Sequence, residues 1–204
     1  MSARRVVVVS AGISQPSSTR LLADRLAAAT SRQLAEQGID GELEVVELRD
    51  HAHALTDHLL TGFPSTGLRR VTDAVARADG LIAVTPIFSA SYNALFKMLF
   101  DVLEPDVLTG TPVLLAATAG SPRHSLALEH ALRPLLSYLR AVTVPTAVFA
   151  ASQDWGSGEL AGQLSGRIDR AAGELAALVA ARPQQGPTPE PVVTPFAQLL
   201  AGTG

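Results

Sequence analysis

The sequence predicts an α/β fold: a doubly wound parallel sheet of five strands with helices on both faces. Three observations predict it. Short apolar runs rich in Val and other aliphatic residues recur along the chain without polar alternation, as strands buried on both faces do. Stripes of apolar residues at helical spacing lie between them. The two kinds of segment alternate along the chain, which is the signature of a parallel sheet with crossover helices.

The first strand is the valine run at 6–9, and Leu22, Leu26 and Ala29 mark the helix behind it. A weaker strand spans 43–48, and Leu68, Val71, Val75 and Ala78 form the next stripe. The third strand is 81–84, followed by a shorter helix over 93–103. The fourth is 113–117, with Leu128, Leu132, Leu135 and Leu139 behind it. Pro134 sits inside that stripe, so it either kinks the helix or marks where it begins. The fifth strand is 144–148, and Leu160, Leu164, Ile168, Leu175 and Leu178 give the last helix. Five strands at this length fit the order 2-1-3-4-5. One domain over 1–182 accounts for these elements. A Pro-rich tail over 183–204 follows, with Pro187, Pro189, Pro191 and Pro195 and a short apolar stretch at 196–200. Its composition fits either a strap over a neighbouring subunit or a disordered end.

Composition narrows the function. The chain has 204 residues, 47% of them hydrophobic and 17% charged, with a net charge of −3. That balance disfavours a nucleic-acid or anionic-membrane surface, which needs clustered positive charge. The lack of Cys excludes thiolate chemistry, disulfides and Cys-ligated metals. No apolar run reaches the roughly 20 residues of a membrane span. The four valines behind Arg4 and Arg5 are too few for a secretory signal, so the expected location is cytoplasmic.

In open α/β sheets, ligands bind outside the carboxyl ends of the strands, where strand order reverses. Three loops fall there. Residues 10–19 follow the first strand and enter a helix, with hydroxyls at Ser10, Ser14, Ser17, Ser18 and Thr19. A helix N-terminus with free N–H groups favours an anion, and hydroxyls can satisfy a phosphate monoester without a Lys. N-capping by Ser17 or Ser18 is the plainer reading of one of them. G-x-G-x-x-G and a P-loop are both absent, which points to one phosphate rather than a pyrophosphate. FMN fits; a tightly held NAD does not. The second loop, 85–93, carries Pro86, Ile87, Phe88, Ser89 and Tyr92, the means to wall a flat ring system. The third, 118–124, carries Ala119, Gly120, Ser121 and His124. Its Gly allows close backbone approach, and its polar side chains can donate hydrogen bonds.

These residues resemble the NADPH-dependent FMN reductase family, which has the flavodoxin-like fold. Residues 85–97 look like the family's T-P-[IV]-[YF]-x-[AG]-x-[YF]-x-x-x-[LF]-K segment. Residues 117–124 and 131–136 look like its second flavin loop and the helix after it. The likeness covers about residues 4–180 and is closest to the flavin reductases of two-component monooxygenase systems. It implies an NAD(P)H:FMN oxidoreductase that passes reduced FMN to a luciferase-like or alkanesulfonate-type monooxygenase. It implies FMN phosphate at Ser10, Ser17, Ser18 and Thr19, and the ring against 86–89 and 120–121. It implies a homodimer or homotetramer with the flavin near the interface, and His124 in the flavin and nicotinamide pocket. By the same resemblance, some two-component members carry an aromatic residue at the Tyr92 position in a bulged helix at that interface, which implies that Tyr92 influences how firmly FMN is held. The chain departs from the family in its first loop, where G-S-x-R is usual: no Arg occupies the matching place, and Arg20 is a candidate to balance the phosphate.

Hydride transfer from NADH or NADPH to a flavin needs no protein nucleophile, so no catalytic acid or base is expected. Two rival readings share much of this pattern: an FMN-retaining quinone, azo-dye or chromate reductase, and a flavodoxin-type electron carrier. The modest charge and 4% aromatic content weigh against the carrier. His51, His53 and His58 read as solvated loop residues rather than metal ligands. No G-x-S-x-G elbow occurs, which disfavours a serine hydrolase.

Overall fold

In the computed structural model, residues 3–156 and 158–183 are described. Most of the Pro-rich tail lies outside them, so the reading of that tail stays an expectation. The valine run forms β1 (Arg4–Ser10), whose side chains alternate between two cores. Val6 and Val8 face one, with Leu22, Leu26, Ile168 and Leu175. Val7 and Val9 face the other, with Leu55, Val71, Phe96 and Leu99. A strand buried on both faces has no polar side to show, hence the unbroken apolar run.

β2 (Gly41–Glu47) and β3 (Gly80–Phe88) flank β1, both parallel to it, with Val6 opposite Leu43 on one side and Gly80 on the other. β5 (Pro112–Ala119) lies parallel beyond β3. β4 (Ser91–Tyr92) is a short antiparallel arm folded back on β3. β6 (Val142–Thr143) and β7 (Val148–Ala151) both pair with β5. The order is β2-β1-β3-β5-β6, with β7 also on β5. With β6 and β7 taken as one interrupted edge strand, this is the expected doubly wound, flavodoxin-like order.

The interruption corrects the fifth strand, expected to run through 144–148. The five steps from Thr143 to Val148 span three on β5, from Val113 to Ala116. Pro145 lies in the gap and has no N–H to give a ladder. Pairing lapses there and resumes at Val148.

Helix α1 (Ser18–Glu36) and α6 (Glu159–Ala181) cover one face of the sheet. A Cβ on Gly80 would come within 2.6 Å of Val179 Cγ2, so the bare backbone there lets α6 sit close to β3. The other face carries α2 (Ala52–Thr61), α3 (Thr66–Ala76), α4 (Ala94–Val102) and α5 (Arg133–Tyr138). Helix α2 corrects a second expectation, that His51, His53 and His58 are solvated loop residues. His53 and His58 lie in the helix and His51 is its N-cap. Leu55 is its one fully buried residue, too little to print an apolar stripe. Among the described residues, no group of His, Asp or Glu is arranged to hold a metal ion.

The stripe from Leu128 to Leu139 opens as a π-turn (Leu128–Leu132) and becomes α5 at Arg133. Pro134 marks the change. It has no N–H to offer the His130 carbonyl, so the regular ladder cannot run through that point.

Arg4 closes the far end of the domain. Only 8% exposed, it donates to Asp79 Oδ1 at 3.1 Å and to the Arg182 carbonyl at 2.5 Å. Arg182 in turn donates to the Ala78 carbonyl at 2.8 Å, and burial pushes its guanidinium below the usual Arg value. Among the described residues, no helix is long and apolar enough to cross a membrane.

Candidate functional site

A cleft of about 400 Å³ opens at the carboxyl ends of the central strands. The first loop and the start of α1 supply Ile13, Ser14, Ser18 and Thr19 to its lining. β3 supplies Pro86, Ile87 and Phe88. Thr118, Ala119 and Gly120 come from the end of β5, and Ser152 from the turn after β7. Four stretches far apart in sequence meet because parallel strands all point their carboxyl ends one way.

One end of the cleft is rich in hydroxyls. Thr19 and Thr118 are both buried, and their Oγ1 atoms lie 2.8 Å apart. A pair of hydroxyls uses one proton between them and leaves the other free to donate. Ser14, Ser18 and Ser152 add three more hydroxyls, and among the described residues the lining contains no charged side chain. The other end is apolar, with Phe88 52% exposed above it. Phe88 stands at the edge of a tight turn whose Ser89 and Ala90 have φ of 48° and 68°. Two left-handed residues between Phe88 and Ser91, which pair across the turn, match a type I′ hairpin. Such turns prefer Asn-Gly, so this one holds a strained backbone to present Phe88.

Of the residues singled out from sequence, Ser18, Thr19, Pro86, Ile87, Phe88, Ala119 and Gly120 line the cleft. The others lie elsewhere. Ser10 is fully buried at the end of β1, and its Oγ has no protein partner. Ser17 is the N-cap of α1, accepting from Arg20 N at 3.2 Å. It fills space beside Gly12, where a Cβ would come within 2.1 Å of Ser17 Oγ. Of the two readings open for Ser17, the structure shows capping. Ser89 belongs to the hairpin turn. Ser121 caps a short turn by accepting from Arg123 N at 3.3 Å, and His124 ends that turn, exposed. Tyr92 corrects the resemblance. It lies half-buried in β4, its ring 5.6 Å from that of Phe96, whereas the bulged helix is the π-turn at Leu128–Leu132. The left-handed turn at Ser89 and Ala90 folds Tyr92 back onto β3 and leaves it no helix to enter.

Arg20 is engaged elsewhere as well. It donates to Asp24 at 2.8 Å and Glu47 at 2.6 Å, and the hydrogen bond to Asp24 above all raises its pKa. Arg49 shares Glu47, at 3.3 Å, and reaches the Ser14 carbonyl at 3.4 Å. Arg49 thus braces the first loop and Arg20 ties α1 to β2, both from outside the cleft lining.

Ile13 and Ser14 sit in a loop that sequence pointed to but were not singled out. Thr118 read as an ordinary member of its loop, and its facing Thr19 had no signal in one dimension. Ser152 follows a strand broken by proline, and nothing in the sequence marked it.

The donor set tests what ligand fits. Neutral hydroxyls at a helix N-terminus suit one phosphate monoester. An apolar wall with a bare backbone at Gly120, where an added Cβ would meet nothing within 4 Å, suits a flat ring. Both are parts of FMN.

Comparison with known proteins agrees. Residues 4–156 match the family model described as NADPH-dependent FMN reductase. The chain is 38% identical over 179 residues to an FMN reductase (NADPH) of Pseudomonas aeruginosa, covering 87% of this chain and 94% of the relative. It is 38% identical over 175 residues to the NADH-dependent FMN reductase SfnF of Pseudomonas fluorescens, covering 85% and 91%. Among solved structures, an oxidoreductase of Corynebacterium diphtheriae is 48% identical with a TM-score of 0.86, covering 89% of this chain and 99% of that one. An NADH:FMN oxidoreductase in its apo form is 31% identical with a TM-score of 0.72, covering 83% and 89%. With its sheet order, its cleft and these relatives in agreement, the chain belongs to the NADPH-dependent FMN reductase family.

Proposed function

We propose that this protein reduces FMN with NADH or NADPH and releases the product to a partner monooxygenase. The observation that carries the reading is the two-ended cleft, hydroxyl-rich at the start of α1 and apolar at Pro86–Phe88, in a chain of this family. The names of the relatives support the reaction: one is an FMN reductase (NADPH), another an NADH-dependent FMN reductase.

Bound FMN supplies the chemistry, accepting a hydride from the nicotinamide. The chain positions. Ser18 donates to the phosphate at the N-terminus of α1, and the Thr19–Thr118 pair contributes its one free proton. Pro86, Ile87 and Ala119 wall the ring, and the bare Gly120 admits it to close contact. The exposed Phe88 borders the open side, where a nicotinamide can approach. Ser17, Ser89, Ser121 and Tyr92 serve by holding the loops in place, Ser10 lies buried at the end of β1, and His124 stands outside the cleft lining. The molecule works as a homodimer or homotetramer in the cytoplasm.

The test is steady-state oxidation of NADH and of NADPH, with and without added FMN, on protein whose visible spectrum is recorded first. A colourless protein whose turnover depends on added FMN supports the reading. Turnover that ignores added FMN, in a protein already yellow, contradicts the release of reduced flavin.

A further inference from the structure

Asn93 joins the two loops that build opposite ends of the cleft. It is 3% exposed and is the N-cap of α4, with its Oδ1 accepting from Phe96 N at 2.9 Å. Capping uses only the oxygen. The amide nitrogen does something else: Nδ2 donates to the Ala11 carbonyl at 2.6 Å, 82 positions away. The backbone N–H of Asn93 donates to Thr85 Oγ1 at 3.2 Å, and that hydroxyl donates to the Pro86 carbonyl at 3.0 Å. Ala11 is itself fully buried, and its N–H is held by the Val84 carbonyl at 2.9 Å.

The consequence lies in the Ala11–Gly12 peptide. A trans peptide carries its C=O and the following N–H on opposite sides. Turning the Ala11 carbonyl onto Asn93 therefore turns the Gly12 N–H the other way. Gly12 opens the stretch that packs on Ser17 and Thr19 and leads into Ile13 and Ser14 of the cleft. We propose that Asn93 is a positioning residue for the flavin phosphate: it orients the Ala11–Gly12 peptide and fixes the first loop against the loop that carries Phe88. This rests on the FMN reading above. Capping alone would be served by Ser or Asp; the donor to Ala11 needs the amide.

The test uses Asn93→Ser, which keeps a capping hydroxyl but cannot reach Ala11. FMN affinity is read by flavin fluorescence, and KM for FMN and for the nicotinamide are read separately. Ser65→Ala is the control, since Ser65 caps α3 in the same way, accepting from Leu68 N at 3.2 Å, but outside the cleft lining. The expected result for Asn93→Ser is FMN binding weakened about tenfold, with KM for the nicotinamide unchanged. Ser65→Ala loses thermal stability and keeps FMN affinity. Equal FMN affinity in Asn93→Ser and the parent overturns the proposal, as does an equal rise in both KM values. If Asn93→Ser does not fold, Thr85→Val decides, because it removes the hydroxyl that holds Asn93 from the other side. Weakened FMN binding there supports the proposal and unchanged binding overturns it. A parent chain that binds no FMN overturns the FMN reading as well.

Discussion

The hydroxyls of Thr19 and Thr118, 99 positions apart, meet at 2.8 Å on the floor of the cleft. One comes from the first turn of α1 and the other from the end of β5, so the contact ties the hydroxyl-rich end to the central sheet. Thr118→Val keeps the shape and removes the hydroxyl. Loss of one buried hydrogen bond costs about 1 kcal/mol, so FMN affinity is expected to fall roughly fivefold. A fluorescence titration checks this; an unchanged dissociation constant would take the pair out of the site.

Ser18 and Ser17 are neighbours with different work. Ser18 lines the cleft at the first position of α1, and Ser17 caps it. Ser18→Asp sets a carboxylate against the phosphate, with FMN binding expected to weaken about tenfold. The same carboxylate at a helix N-terminus favours the fold, so the melting temperature should hold or rise. Ser17→Asp keeps a good cap and should disturb binding less. Equal losses in the two variants would contradict this division.

Gly12→Ala should act through Ser17, because its new methyl would stand 2.1 Å from Ser17 Oγ. The cap then has to move, at a cost of about 1 kcal/mol in stability. Chemical denaturation measures it. A variant as stable as the parent would show that the loop relaxes freely.

The Glu129–Arg133 pair predicts a pH dependence. Arg133 donates to Glu129 at 2.6 and 3.0 Å, and that hydrogen bond chiefly holds the Glu129 carboxyl below its ordinary 4.5. A depressed carboxyl stabilises the fold above its unfolded pKa, and the gain is lost as pH falls through the folded value. Parent and Glu129→Gln should therefore differ in melting temperature at neutral pH and converge below pH 4.5. Glu129 is 47% exposed, so the difference is small. A gap that stays constant through that range would contradict the assignment.

Sequence exposed the parts of this fold where one local rule decides. Valines at 6–9 pack on both faces, and a strand with no polar side is visible as a run. Helix α2 was hidden because Leu55 alone is fully buried in it, and the fifth strand was misjudged because Pro145 splits it. The loops at 10–19, 85–93 and 118–124 could be found from strand ends alone. Their inner geometry could not: Ser17, not Ser18, caps α1, and its hydroxyl sits where a Cβ on residue 12 would come within 2.1 Å. Ser10 opens the first loop in sequence, and the structure buries it fully at the end of β1. Tyr92 was misplaced because the turn at Ser89 and Ala90 takes a conformation glycine usually takes, with no glycine to announce it.

The most direct measurement is a crystal structure of the chain with FMN. The phosphate is expected at Ser18 and Thr19, with the ring against Pro86, Ile87 and Gly120. FMN seated away from the carboxyl ends of the strands, for example in the groove lined by Arg5, Glu42 and Arg77, would contradict the account.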